Sequence, residues 1–342
     1  MFQLRNNNKE GFIMVRKILA VNFGGIGDEI LFLPTLWSLK KEYPNASITL
    51  ALESRAMGIK DLSDIIDDVI AVDIKTKNKY TEIFNFISKA IFGNYDLLVI
   101  SGANKMMSII AACTFIPKRV GFDTGKLSQI LLTDVVKLNK NQYAGKMYHD
   151  LVTPLTQQVT DLPILSVNTK QKVPNSVLIH PGVSEMSRRK GIIKTIQGYE
   201  WAQLIDLLQQ AGKHVMIAGG PDDEYCIKEI EKYTKIKNYE NLYGKTHNLT
   251  ELAELISSAE KFVCSDSAPL HIAVGLGVKT YVFFGPTDDK KLIPQNDNVI
   301  ALKNDCDCPD KPCLWERRKI SCMEVPCLKY DFHTISRVIL EN

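Results

Sequence analysis

The stretches "VRKILAVNFGGIGDEILFLPTLWSLKKEYP" (15–44) and "SITLALE" (47–53) decide the fold. Residues 15–23 are a continuous apolar run. It ends at the glycine turn "GGIGDE", gives way to a helical pattern, and is followed by a second apolar run. A strand that is apolar throughout is buried on both faces, and two such strands joined through a helix run parallel. This is a βαβ unit. The rhythm continues through "VIAVD" (69–73), the helix "TEIFNFISKAIFG" (81–93), the strand "YDLLVISG" (95–102) and the strand end "RVGFD" (119–123).

A polar, proline-bearing stretch, "LSVNTKQKVPNS" (165–176), then interrupts the pattern, and beyond it the rhythm restarts. "VLIHPG" reads as strand and turn, "YEWAQLIDLLQQAGK" as helix, and "HVMIAGGPDDE" as strand and turn. A helix with an acidic face follows at 223–233. "LTELAELISSAE" is a further helix, which Thr250 or Asn248 could cap. "KFVCSDSAPLHIAVGLG" is strand, loop and helix, and "VKTYVFFGPTD" is a last strand and turn. The chain of 342 residues is too long for one ordinary core, and two doubly wound α/β domains of about 150 residues each account for it. The expected division is a disordered extension at 1–14, a first Rossmann-like domain at 15–165, a linker at 166–176, a second such domain at 177–330 and a C-terminal helix at 331–342.

Composition narrows the function. With 45% hydrophobic and 24% charged residues, the chain is that of a soluble globular protein. A net charge of +3 argues against a dedicated nucleic-acid binder, whose basic surplus is larger and clustered. No apolar run approaches the roughly 20 residues of a membrane span, and the start "MFQLRNNNKEGF" lacks a signal-peptide core. A cytoplasmic protein is the expectation.

Ligands of doubly wound sheets bind at the carboxyl ends of the strands. The candidate site loops are therefore 24–29, 102–105, 181–190, 219–224, 265–271 and 285–289, facing one another across an interdomain cleft. "NFGGIGDE" is not the dinucleotide fingerprint, since Ile30 stands at the third glycine position, and it is not a Walker A loop. It puts Asp28 at the start of a helix, where it is either an N-terminal cap or a general base aimed into the cleft. In "VCSDSAPLHIA", Ser267 lacks the flanking glycines of a nucleophile elbow. The loop instead suits an anion or a sugar, with Ser267 and backbone N–H groups donating to phosphate and Asp266 accepting from hydroxyls. His271 is either part of that loop's chemistry or a core histidine. Glu224 of "AGGPDDE" lies where it could accept from a ribose, and Gly182 of "HPGVS" allows close backbone approach.

The combination "ILAVNFGGIGDEILFLPTLWSLKKEYP", "VLIHPGVS", "VMIAGGPDDE" and "VCSDSAPLHIAVGLGVKTYVFFGPTD" resembles the family 9 glycosyltransferases, typified by the lipopolysaccharide heptosyltransferases. The resemblance runs from about residue 16 to the final helix. It implies a GT-B fold, with the acceptor held mainly by the first domain and the nucleotide-sugar donor by the second. It also implies inverting transfer without a catalytic metal, typically from ADP-heptose to a glycan or glycolipid acceptor such as lipopolysaccharide core. Carried over, Asp28 matches the general base, Asp266, Ser267 and His271 match the donor-binding loop, and Glu224 matches the ribose contact. Asn22 stands where the family often has Arg, and Ala268 where it commonly has Gly. Other classes that fit a tandem α/β plan are a nucleotide-dependent oxidoreductase, a non-catalytic nucleotide-sugar binder, and an epimerase of GT-B fold.

"SRRKGIIKTIQGYEW" (187–201) is rich in cations, with no acid before Glu200. The family resemblance implies a lysine seven residues ahead of an aromatic-Ala-x-Leu helix start. Trp201 of "WAQL" takes the aromatic position and gives Lys194, rather than Lys190, as the cation for a donor diphosphate; Ile196 replaces the family's Trp. No D-x-D motif is evident, so the chain must supply that charge itself.

Five cysteines, Cys306, Cys308, Cys313, Cys322 and Cys327, fall within 22 residues. They lack paired C-x2-C knuckles, and two readings stand: a structural metal (zinc or iron), or free thiols and redox-labile pairs. A lipid-linked acceptor would bring the enzyme to the inner face of the cytoplasmic membrane, where Lys40, Lys41, Lys75, Lys77 and Lys79 offer an electrostatic foothold.

Overall fold

A computed structural model of the chain describes residues 14–304, 306–314, 322 and 325–341. The extension expected at 1–14 lies outside the described residues except for Met14.

The first unit runs β1 (Lys17–Val21), α1 (Ile26–Glu42), β2 (Ser47–Leu52), a 3-10 segment (Ser54–Leu62), β3 (Asp68–Ala71), α2 (Lys79–Phe92), β4 (Leu97–Ile100), α3 (Lys105–Cys113), β5 (Lys118–Phe122), α4 (Lys126–Leu131), β6 (Asp134–Val136) and α5 (Ala144–His149). The second runs β7 (Val173–His180), α6 (Glu185–Arg189), α7 (Gly198–Gln210), β8 (His214–Ile217), α8 (Glu224–Tyr233), β9 (Glu240–Asn241), α9 (Leu249–Ser258), β10 (Ala259–Ser265), α10 (Ala268–Gly275), β11 (Lys279–Phe283), α11 (Asp289–Leu292), β12 (Val299–Leu302) and α12 (Phe332–Glu341).

Each unit holds a six-stranded parallel sheet, ordered β3-β2-β1-β4-β5-β6 and β12-β11-β10-β7-β8-β9. The two orders are equivalent, and in each the first strand, β1 or β7, sits where the direction of winding reverses. A crevice opens at that point, outside the strands' carboxyl ends. The turns that follow these two strands are "GGIGDE" and "HPGVS", the glycine turns singled out in the sequence.

The apolar strands are buried on both faces, as their composition requires. One core, from Ile18 and Leu36 to Leu270 and Phe284, runs without a break from the inner face of one sheet to the inner face of the other, through α1, α9 and α10. A second, around Trp201 and Phe283, lies on the outer face of the second sheet and takes in Phe332, Ile335 and Ile339 of α12. A third, under α2 and α3, covers the outer face of the first sheet. Asn248, not Thr250, caps α9, its side chain accepting from Glu251 N–H at 2.8 Å.

One boundary and three strands differ from the sequence reading, and β12 (Val299–Leu302) follows and pairs with the strand read as last. Strand β7 begins at Val173, inside the segment read as linker, where Val173 pairs with Ala259 and Ser176 with His214. Its first three residues, Val173, Pro174 and Asn175, are exposed and lack the continuous apolar run of 177–179 that marks the rest. Strands β6 and β9, of three and two residues, are too short to show a period.

The C-terminal half of α1 is pinned by a buried polar chain. The Ser38 hydroxyl donates to His149 Nε2 at 2.6 Å, and His149 Nδ1 donates to Asp161 at 2.7 Å. The Ser38 oxygen accepts from Val159 N–H at 3.1 Å. This has the connectivity of a hydrolytic triad, yet Ser38 and His149 are fully buried, so it fastens α5 and residues 159–161 to α1. Burial, partly offset by the Asp161 carboxylate, pushes the His149 imidazole below its ordinary range. A histidine held neutral contributes stability fully above the unfolded value of about 6.5, and the contribution is lost as pH falls toward the lowered folded value. His149→Ala should cost about 2–4 kcal/mol near neutral pH, because it opens a cavity and strands Ser38. Denaturant titrations of variant and parent should show that deficit shrinking toward about pH 5.

Candidate active site

Between the domains lies a cleft of ≈ 710 Å³. The first domain lines it with Gly25, Gly27, Asp28 and Arg55, and the second with Gly182, Lys194, Asp223, Asp266, Ser267 and His271, among others.

Asp28 closes the start of α1 and also lines the cleft. One carboxylate oxygen accepts Gly25 N–H at 2.8 Å, closing the first turn of α1, and the other accepts the Tyr148 hydroxyl at 3.2 Å. Burial, followed by the Asp28 charge, raises the Tyr148 phenol well above its ordinary range, so it remains a donor. The next residue, Glu29, is fully buried. Burial, reinforced by Asp28, pushes its carboxyl well up, toward the neutral form, whereas Asp28 faces the cleft. Asn22, at the position where an arginine was expected, is buried and donates to the Asp28 carbonyl at 3.2 Å.

The opposite wall follows from α10. A Cβ on Gly27 would stand 2.8 Å from His271 Cδ2, so only glycine lets the start of α1 approach α10 this closely. Burial holds the His271 imidazole below its ordinary range, and its Nδ1 has no hydrogen-bond partner among the described residues. Asp266 is buried and takes the Lys194 ammonium at 3.0 Å. Burial alone would raise its carboxyl, but the Lys194 charge and hydrogen bond hold it below the usual carboxylate range. Ser267 occupies the N-cap position of α10 without capping it.

Lys194 is fixed by its neighbours. The Thr195 hydroxyl donates to the Pro181 carbonyl at 2.6 Å and accepts from Trp201 Nε1 at 3.2 Å. Ile196 is buried in the core beside Trp201, filling the place where the family's Trp was expected. The chain is thus anchored one residue after Lys194. Lys190 is exposed at the end of α6 and is absent from the cleft lining.

Glu224 is more than half exposed, pairs with Lys228 at 2.8 Å, and is not among the residues lining the cleft. The wall there is Asp222 and Asp223. Asp223 accepts Gly220 N–H at 2.8 Å and faces His180 Nε2 at 3.6 Å. Burial drives the two in opposite directions, the carboxyl up and the imidazole down, so both favour their neutral forms.

Sequence reasoning missed Arg55, Tyr148, His180, Asp223 and the 246–249 loop, which also lines the cleft. Arg55 is set by the buried Glu53, which binds both Arg55 and Lys75 at 2.9 Å. Its only sequence signal is the position after β2, at a carboxyl strand end. The loops at 102–105 and 285–289 do not line the cleft.

The cysteines form a separate feature. Cys308, Cys313, Cys322 and Cys327 line a cavity of ≈ 340 Å³, and all five cluster members are free thiols. Burial raises the Cys327 thiol to about 11. Among the described residues no group of three His, Cys, Asp or Glu is arranged to hold a metal ion, so the zinc-or-iron reading finds no ligand set.

Residues 86–323 match the model of glycosyltransferase family 9 (heptosyltransferase). The chain belongs to glycosyltransferase family 9. It is 27% identical over 295 residues to lipopolysaccharide heptosyltransferase 3 of Escherichia coli strain K12, covering 81% of this chain and 84% of the relative. Lipooligosaccharide heptosyltransferase 2 of Campylobacter jejuni is 23% identical, with 84% and 87% covered. Among solved structures, E. coli heptosyltransferase WaaC with ADP-2-deoxy-2-fluoro heptose superposes with a TM-score of 0.71 at 17% identity, over 95% of this chain and 99% of that one. The family 9 glycosyltransferase of Veillonella parvula gives 0.70 at 20% identity, over 84% and 85%. The protein is a glycosyltransferase of GT-B fold.

In this glycosyltransferase a Cβ on Gly182 would stand 1.6 Å from Asp223 Oδ1. Gly182→Ala should therefore displace Asp223 from Gly220 and lower stability by about 1–3 kcal/mol in urea denaturation. An unchanged midpoint would mean that Asp223 swings aside without cost.

Proposed function

We propose that this glycosyltransferase moves a heptose from an ADP-activated donor to a hydroxyl of a lipopolysaccharide-core acceptor, with inversion at the sugar carbon and Asp28 as general base. One observation carries the reading: Asp28 of the first domain opens on the same cleft as Lys194, Asp266, Ser267 and His271 of the second. The names of the curated relatives support heptose and a lipopolysaccharide or lipooligosaccharide acceptor, and the ADP-fluoroheptose held by a solved relative supports the donor. Such a donor places the work in the cytoplasm, at the inner face of the membrane that carries the acceptor.

An acceptor hydroxyl is a poor nucleophile at neutral pH, so its proton must leave as the new C–O bond forms. The free lone pairs of Asp28 accept that proton, while Tyr148 and Gly25 fix the carboxylate's direction. On the opposite side the bond from sugar to phosphate breaks and the nucleoside diphosphate gathers charge. Lys194 meets that charge in place of a divalent cation, joined by Ser267 and the start of α10. Gly182 lets the backbone approach the nucleotide, and Asp266 and His271 hold the donor sugar. Glu224 receives the ribose once it releases Lys228.

Asp28→Asn should lower ADP release in the presence of acceptor by about 10²–10⁴-fold, with donor affinity retained. Turnover near that of the parent would remove Asp28 from the mechanism. Lys194→Ala should weaken donor binding by about tenfold or more in calorimetry, and Lys190→Ala should leave it unchanged. The reverse pattern would transfer the role to Lys190. Activity should survive chelation with EDTA.

A further inference from the structure

The outer face of the first domain is built unlike the rest of the surface. Helices α2, α3 and α4 lie side by side, with α3 packed against both neighbours. Their inner sides bury Phe86, Ala90, Ile110 and Ala111 against the sheet. Their outer sides expose Tyr80 and Phe84 of α2, Met106 and Ile109 of α3, and Leu127 and Ile130 of α4. Tyr80, Phe84 and Ile130 are 81%, 72% and 76% exposed, far more than residues in a covered groove. A scattered exposed leucine needs no explanation, but six large apolar side chains on three adjacent helices do.

Charge says what covers them. Residues 78–140 carry eight Lys and Arg against four Asp and Glu, a surplus of four beside a whole-chain net charge of +3. Lys79, Lys105 and Lys126, the first residues of α2, α3 and α4, are exposed among the apolar side chains. A second copy of the chain would set these surpluses against each other. An anionic leaflet satisfies both features at once, accepting the apolar side chains at its interface and the lysines at its headgroups.

Position gives the third argument. Each of these helices begins at the carboxyl end of the strand before it, the edge on which Asp28 follows β1. The six apolar side chains lie in the first two turns, at the end of each helix nearest that edge, while Ile91 and Phe92 extend the exposed apolar surface along α2.

We propose that the α2–α3–α4 face docks on an anionic lipid bilayer and presents the cleft to a lipid-linked acceptor. The choice of that acceptor rests on the heptose-transfer reading. The lysine foothold expected from sequence is redrawn: Lys40, Lys75 and Lys77 are paired with Asp67, Glu53 and Asp73, and Lys40 and Lys41 lie at the far end of α1. Of that group only Lys79 belongs to the docking face.

Flotation with vesicles of phosphatidylethanolamine and about one quarter phosphatidylglycerol tests this directly. The parent should float at low salt and be released as salt is raised. Phe84→Ser with Ile130→Ser, and separately Lys79→Glu with Lys105→Glu and Lys126→Glu, should each reduce binding by about tenfold. All five side chains are exposed, and an unchanged melting temperature confirms folding. A parent that stays unbound, or variants that float as the parent does, would overturn the proposal. So would light scattering that shows an oligomer dissolved by Phe84→Ser with Ile130→Ser, since a second copy would then cover the face. The assay contains no sugar, so its failure leaves the transfer reading intact, and inactivity of the parent toward ADP-heptose leaves the docking face intact.

Discussion

Everything in the cleft depends on the close approach of α1 to α10 at Gly27 and His271. Asp28 belongs to one sheet, and Lys194 and Asp266 to the other. They share a cavity because two helices from different domains touch at a residue with no side chain. A methyl group at Gly27 would push Asp28 away from Asp266 and Ser267, on the proposed reading the base from the donor loop, without altering either side. A transfer reaction needs its partners aligned to within fractions of an ångström, so a packing constraint of this kind acts on rate as directly as a catalytic side chain does.

The electrostatics of the cleft follow a common rule: burial drives a group toward neutrality unless a close partner of opposite charge outweighs it. Glu29, His180, Asp223 and His271 are all driven toward neutrality by burial. Asp266 escapes through its contact with Lys194. Lys194, partly exposed on the cleft, is therefore a cation already oriented by its contact with Asp266. On the proposed reading it can turn to a leaving diphosphate with little reorganisation, the condition under which a fixed charge lowers a barrier most.

The fold was legible because buried parallel strands must be apolar throughout, and nine of the twelve were read from that signal. β6, β9 and β12 were not, nor was the start of β7, whose three exposed residues resemble a linker. The cleft loops with glycine turns were legible from topology alone. Tyr148, Asp223 and Arg55 were not, because their roles come from contacts distant in sequence: Tyr148 reaches Asp28 across 120 residues. Lys194 needed the family's register, since nothing in its local charge distinguishes it from Lys190; the fold adds the Thr195–Trp201 anchor that fixes it. Glu224 shows the opposite limit, a carboxylate in the expected segment that turns outward to Lys228.

The unbroken core through α1, α9 and α10 also bears on how such enzymes can diversify. Proteins with separable domains can exchange halves by recombination at the connecting segment. Here a crossover near residue 166 would bring together two apolar surfaces shaped for other partners, and the misfit would fall beside Asp28. On the proposed reading, new acceptors are more readily reached by changing loops on the first sheet's carboxyl edge, which leave that seam untouched, than by trading whole domains between relatives.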